Sequence, residues 1–226
     1  DVIQNHLLQL LAHIAMEPPK SLSAEGLRDA RAAVLRQLRP LQPSELKDRV
    51  VRGQYGSGND FMGNAVPGYL DEVFVYDWAT TETFAALPVE LMSDRWVGVP
   101  FYLRTGKRMT KPVTEINIQF KPSKHDLYNR ERETANLLTL RIQPNEGIAL
   151  RLVVKRPGFE TQLDEVDMSY CYRDSYAGHL PDAYDRLLLD CLLDDRSLFT
   201  RSDEIEASWG FVDPILAHWQ ATRPPE

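Results

Sequence analysis

The chain has 226 residues, of which 43% are hydrophobic and 26% charged, and its formal net charge is -7 at pH 7. This composition is ordinary for a globular protein, and the length suits one large domain or two small ones. The acidic balance argues against a general nucleic-acid binder, which needs a basic surface to release counterions from phosphates. A single local anion site is still compatible with it.

Other classes of protein are disfavoured by what the sequence lacks. Cys171 and Cys191 form neither a CxxC pair nor a zinc-type spacing, which indicates a reduced intracellular protein. No apolar run reaches the length of a membrane span, so no membrane partner is expected. His6 and His13 are seven residues apart, whereas metal-binding pairs on a helix usually sit four apart, so we expect no metal site. The chain opens inside a helical pattern without a methionine, which suggests a segment of a longer protein.

The first part of the chain is predicted to be helical. Apolar residues recur at spacings of three and four over residues 1–16, and Pro18 and Pro19 end the pattern. A second helix is predicted from about Ser23 to Leu38. The glycine-rich segment 56–69 then predicts a long irregular loop.

From residue 95 onward the pattern is typical of strands. Apolar and polar residues alternate in TEINIQFK (114–121), NLLTLRIQ (136–143), GIALRLVVK (147–155) and DEVDMSYCY (164–172), and PNEG (144–147) predicts a hairpin turn. Alternation gives a sheet one apolar and one polar face, as in antiparallel sheets. Helices are predicted over 182–193 and 201–219, with Pro214 kinking or splitting the second. The order predicts an α+β fold, a large, mostly antiparallel sheet with one face covered by helices.

One stretch combines apolar and basic residues. VGVPFYLRTGKRMTKP (97–112) reads as a buried strand that ends in Arg104, Gly106, Lys107, Arg108 and Lys111. Gly106 would allow a close approach of the backbone to a ligand, and Lys107 would place a point charge on a phosphate. The alternative is a solvated basic turn, and composition alone does not decide between them.

Seven segments, in order along the chain, resemble the glucose-6-phosphate dehydrogenase family: DVIQNHLLQLLAHIAMEPP, RGQYGSG, TTETFAAL, RWVGVPFYLRTGKRM, IQPNEGI, LPDAYDRLLLD and FTRSDEIEASW. The resemblance implies a two-part enzyme. Residues 1–226 are expected to be its single C-terminal α+β domain for substrate binding and dimerisation, with the N-terminal Rossmann domain missing from this chain.

The resemblance also implies a reaction. Members oxidise glucose 6-phosphate to 6-phosphogluconolactone, the first step of the pentose phosphate pathway, by hydride transfer to NADP. The NADP and the catalytic histidine are expected in the missing N-terminal domain. No residue of this chain is therefore expected to be catalytic, and the isolated chain is expected to be inactive.

Three residues are expected to bind substrate. Lys107 matches the family lysine of the RTGKR motif that reaches the sugar phosphate, and Gln143 matches a glutamine that lines the same pocket. Lys111 matches less closely, because the family's second cation aligns with Pro112. Arg104 is expected to be structural.

Some family members carry a second, structural NADP on the polar face of the sheet. Three positions match parts of that pattern, namely Arg141, Arg151 and Asp167, and three do not, namely Val113, Asn117 and Ala149. At the three unmatched positions the family pattern has an aromatic residue and basic residues, so we expect no structural NADP.

The polar strand face also bears on assembly. It carries Arg141, Gln143, Arg151 and Lys155, and family members dimerise through this sheet. A homodimer is therefore expected, and the resemblance implies a cytoplasmic enzyme. The alternative to dimerisation is a solvated sheet face.

A non-catalytic assembly or regulatory paralogue is a second functional hypothesis. The retention of Lys107 and Gln143 disfavours it.

Overall fold

A computed structural model of the chain describes residues 1–60, 62–122, 135–176 and 183–220. The chain divides into two compact units, one formed by Asp1–Thr110 with the segment from Ala183 onward, the other by Lys111–Asp182. Helices and antiparallel sheets together confirm the predicted α+β class.

The first unit contains most of the helices. Its helical segments are a π-helical turn at Val2–Leu7, α1 (Leu8–Ala15), α2 (Ala24–Leu35), α3 (Pro43–Asp48), a 3-10 turn at Tyr69–Asp71, α5 (Ala183–Leu192) and α6 (Ser202–Gln220). Its strands are β1 (Val51–Gly53), β2 (Gly58–Asn59), β3 (Ala65–Val66), β4 (Phe84–Val89) and β5 (Phe101–Gly106). The second unit holds β6 (Thr114–Gln119), β7 (Leu137–Gln143), β8 (Gly147–Lys155), β9 (Leu163–Cys171) and the short helix α4 (Tyr172–Ser175).

The first unit is organised around an antiparallel sheet in the order β1-β4-β5. Ala85, Leu87 and Val89 alternate along β4 and belong to one buried core. The helices α1, α2 and α6 contribute further core residues, among them Leu8 and Ile215. The helices therefore cover one face of this three-stranded sheet.

The second unit is built on a four-stranded antiparallel sheet in the order β6-β7-β8-β9. The predicted hairpin is confirmed, since β7 pairs with β8 across Pro144–Glu146 and places Leu140 opposite Ile148. The two faces differ as alternation requires. Several apolar side chains of this sheet stay open, with exposures from 39% to 62%: Ile148, Val166, Met168 and Tyr170.

The predicted helices are largely confirmed. The Ser23 hydroxyl accepts a hydrogen bond from the Gly26 amide at 3.2 Å and begins α2. Of the predicted kink or split at Pro214, the split does not occur, because α6 runs unbroken from Ser202 to Gln220. Its buried residues Phe211 and Trp219 lie on both sides of the proline, so core packing holds the helix despite one missing hydrogen bond.

The strand that precedes the basic residues is not a buried one. β5 is the last strand in the described sheet order, and Tyr102 within it is 77% exposed. Only alternate residues such as Leu103 pack against the core. The expectation of a buried strand is therefore corrected to a half-buried strand that bears the basic residues at its end.

Candidate functional site

Thr83 fixes the basic turn to the sheet; by this name we mean residues 104–108, the end of β5 together with the two turn residues that follow it. The Lys107 amide donates to the Thr83 carbonyl at 2.8 Å, and the Thr83 amide donates to the Gly53 carbonyl at 2.9 Å. The Thr83 hydroxyl also accepts a hydrogen bond from the Tyr55 amide at 2.9 Å. Thr83 therefore joins the backbone of Lys107 to the RGQY segment.

Gly106 has a different role from the one expected. A Cβ on this residue would lie 2.8 Å from the Met109 sulfur and 2.9 Å from a ring carbon of Phe84. The space that a side chain would need is therefore filled by this chain's own residues rather than by an approaching ligand. The glycine allows the turn to close over Phe84.

Arg108 is held by an acidic and an aromatic partner. Its guanidinium forms an ion pair with Glu72 and lies 5.3 Å from the centre of the Tyr55 ring. The Tyr55 hydroxyl donates to the same Glu72 oxygen at 3.1 Å. Hydrogen bonding to Tyr55 and then to Glu72 raises the pKa of Arg108. We call these three residues the Arg108 cluster.

Lys107 differs from its neighbour. Its side chain is exposed, and among the described residues nothing forms a hydrogen bond or an ion pair with its ammonium. An ammonium in this state is a compact, strongly hydrated point charge that is available to an anion. Of the two adjacent cations, the paired one is Arg108 and the available one is Lys107.

The other two predicted site residues belong to the second unit. Gln143 is the last residue of β7, is exposed, and pairs with Thr114 of β6. Lys111 is exposed and lies three residues before Thr114. The sheet register therefore brings the segment that follows Lys111 to the end of the strand that carries Gln143.

A shallow depression of about 240 Å³ lies on the polar face of the four-stranded sheet, lined by Leu137, Thr139, Arg141, Ala149, Arg151, Asp167 and Ser169. The Arg151 guanidinium already donates to Asp167 at 2.9 Å, and this hydrogen bond raises the pKa of Arg151 and lowers that of Asp167. The lining residues include no aromatic ring that a nucleotide base would stack on. The depression thus fits a structural NADP poorly, and the expectation that no structural NADP binds here stays a prediction.

Metal and disulfide chemistry find no structural support in the described part of the chain. Across residues 1–60, 62–122, 135–176 and 183–220, no group of three or more His, Cys, Asp or Glu side chains has a metal-binding arrangement. His13 Nδ1 lies 2.7 Å from the Gln9 carbonyl, within its own helix. Cys171 and Cys191 are free thiols. None of the described helices is long and apolar enough to cross a membrane.

Comparison with known proteins gives the family. Residues 1–226 match the family model described as glucose-6-phosphate dehydrogenase, C-terminal domain. The chain is 45% identical over 225 residues to glucose-6-phosphate 1-dehydrogenase of Rhizobium meliloti (strain 1021), with 98% of this chain and 45% of that protein covered. The corresponding enzyme of Bacillus subtilis (strain 168) is 42% identical over 225 residues, with 99% and 46% covered.

Solved structures agree with the sequence relatives. A structure described as glucose-6-phosphate dehydrogenase in complex with its substrate glucose-6-phosphate superimposes with a TM-score of 0.86 at 35% identity, covering 100% of this chain and 46% of that one. The enzyme from Mycobacterium avium gives a TM-score of 0.79 at 34% identity. The chain belongs to the glucose-6-phosphate dehydrogenase family, matches its C-terminal domain, and spans less than half the length of these relatives.

Proposed function

We propose that this chain is the substrate-binding and dimerising part of an NADP-dependent glucose-6-phosphate dehydrogenase. The parent enzyme would oxidise glucose 6-phosphate to 6-phosphogluconolactone, the first step of the pentose phosphate pathway. The observation that carries the proposal is an available lysine, Lys107, in the RTGKR motif of a chain that matches the family over its whole length. The relative described as a complex with glucose-6-phosphate supports the choice of substrate.

Each proposed residue has a chemical role. Lys107 supplies a point charge to the phosphate, and Lys111 supplies a second, weaker contribution. The Gln143 amide is both donor and acceptor, which suits sugar hydroxyls or phosphate oxygens. NADP would supply the hydride acceptor, and it would be held by residues outside this chain. No step of hydride transfer is therefore assigned to the residues described.

Substrate binding is tested by titrating glucose 6-phosphate into the ¹⁵N-labelled chain and its Lys107→Met variant. We expect saturable amide shifts near Gly106 and Gln143 that are lost in the variant. Arg104→Met is the matched control, since it removes another exposed cation of the same turn and should leave most of the binding intact. Equal affinity in the unsubstituted chain and the Lys107 variant would refute the assignment.

We further propose a homodimer formed through the four-stranded sheet. The polar face offers Arg141, Arg151 and Lys155 on adjacent strands. Light scattering of Arg151→Glu compared with Met168→Glu, which places the same side chain on the opposite face, tests which face is used. We expect the first variant to dissociate, while a monomeric unsubstituted chain at micromolar concentration would contradict the dimer.

The remaining parts of the proposal concern the location of the protein and the role of residues 1–226. We place it in the cytoplasm and treat residues 1–226 as one functional domain without catalytic residues of its own. Purified chain that reduces NADP when given glucose 6-phosphate would refute the last point.

A further inference from the structure

We infer that Glu72 and Tyr55 are positioning residues, which hold Arg108 so that the basic turn presents Lys107 to the substrate phosphate. The inference rests on the proposed function, because it concerns the same phosphate. Neither residue belongs to the RTGKR motif, and Glu72 lies 36 residues before Arg108.

The first observation is the backbone of Arg108. Its φ is 53°, in the left-handed region that side chains with a Cβ seldom adopt. A residue keeps such a conformation when surrounding contacts hold it there. For Arg108 those contacts are the Glu72 carboxylate and the Tyr55 ring.

The second observation is that the partners of Arg108 are themselves fixed. The Tyr69 amide donates to the Tyr55 carbonyl at 2.9 Å, and the two rings meet edge to face with centroids 5.7 Å apart. The 3-10 turn at Tyr69–Asp71 directly precedes Glu72. At Gly68 a Cβ would lie 3.0 Å from the Ser57 amide nitrogen, so the two ends of the loop are closely packed.

These contacts hold the backbone at Lys107 and at the residue after it. Its own amide is bonded to Thr83, and the next residue is held by Glu72. The backbone from which the ammonium extends is therefore fixed, while the ammonium has no partner among the described residues. Such preorganisation lowers the ordering cost of binding. Pairing with Glu72 also withholds the Arg108 guanidinium from the phosphate.

The inference and simple electrostatics make opposite predictions for Glu72→Gln. The substitution removes a negative charge near an anion site and releases a cation, so electrostatics alone predicts tighter binding of a phosphate. If Glu72 acts by positioning, the same substitution weakens binding, because the turn is no longer held. The sign of the change separates the two.

The experiment measures the Kd of glucose 6-phosphate for the full chain and for Glu72→Gln, Arg108→Met and their double variant. We expect each single variant to bind about three- to tenfold more weakly and the double variant no more weakly than the worse single one, since both break one interaction. Tyr55→Phe, which keeps the ring, should have a smaller effect. Unchanged or tighter binding by Glu72→Gln, or single effects that multiply, would overturn the inference.

A measurement without ligand separates this inference from the proposed function. Hydrogen exchange of the Lys107 amide should accelerate about tenfold in Glu72→Gln as the turn opens more often, while the amides of β4 keep their rates. An unchanged Lys107 rate overturns the inference even when the chain binds substrate. If the unsubstituted chain binds no glucose 6-phosphate, the proposed function fails, and the exchange rates still decide whether Glu72 holds the turn.

Discussion

Replacing Arg31 by methionine should strongly destabilise the first unit. The Arg31 side chain is 3% exposed and its partner Glu204 is fully buried. Arg31 Nε donates to Glu204 Oε2 at 2.9 Å and Nη2 donates to Oε1 at 3.3 Å. Arg31 Nη1 also donates to the Ser197 carbonyl at 2.9 Å. The pair joins α2 to α6, and the substitution would leave the Glu204 carboxylate buried without its cation.

The magnitude follows from that burial. Removing one partner of a buried ion pair costs about 3–5 kcal/mol, because the remaining charge is uncompensated. For a protein of this size, each kcal/mol lowers Tm by roughly 2–4 °C, so Arg31→Met should lower it by roughly 6–20 °C. The Arg201 amide, which donates to Glu204 Oε1 at 3.0 Å, compensates only part of the lost interaction.

Tryptophan fluorescence during urea or thermal unfolding measures the effect. All four tryptophans, Trp78, Trp96, Trp209 and Trp219, lie in the first unit, so the signal reports that unit alone. Glu17→Gln is the matched control, because its pair with Arg95 is exposed and exposed pairs contribute about 0–1 kcal/mol. Replacing Arg31 and Glu204 together by apolar residues should recover much of the loss. A change for Arg31→Met no larger than the control's would refute the reasoning.

Two further predictions concern pH and the second unit. Hydrogen bonds, of which the one from Arg39 has the largest effect, lower the pKa of Glu45 below its ordinary value of 4.5. The stability that this carboxylate contributes is therefore present above pH 4.5, and it is lost as the pH falls through the pKa of the folded state. The stability advantage over Glu45→Gln should accordingly shrink in denaturant titrations below pH 4.5, and an advantage that grows there would contradict the sign. Gly147→Ala would place a Cβ 2.2 Å from the Tyr170 carbonyl oxygen and should speed hydrogen exchange along β8 and β9, whereas Gly58→Ala, with open space around it, should not. Equal protection in both variants would show that the strands shift at little cost.

Elements with strong periodicity were predictable from the sequence. The helix after Ser23 and the hairpin between β7 and β8 agree with their patterns, because an amphipathic face alone identifies them. β4 was missed because FAALPV contains no polar residue, so that apolar and polar residues do not alternate, and because it contains Pro88. Four of its six residues are buried. α3 was missed because Pro43–Asp48 is too short to show a period.

The candidate site was predictable only in part. Lys107 was found from a local motif, and its role stays a prediction. Glu72 carried no signal, because an acid in a loop looks like any solvated charge until the fold brings it to Arg108. Gly106 was predicted to allow a close approach of a ligand. The sequence did not show that Met109 and Phe84 fill the space beside it, because Phe84 reaches Gly106 only when β4 pairs with β5. Contacts between distant segments are what a local pattern cannot contain.

The division of the chain into units has a consequence for biosynthesis. The second unit is one continuous stretch of chain, and its strands pair in sequence order. The first unit consists of two segments, one before and one after the second unit in the sequence. The partner of Arg31, Glu204, is 173 positions later in the sequence and is therefore synthesised much later. A ribosome working from the N-terminus thus delivers a complete four-stranded sheet before α6 exists. Because domains generally fold as units during synthesis, the second unit should fold first. The two segments of the first unit should associate afterwards.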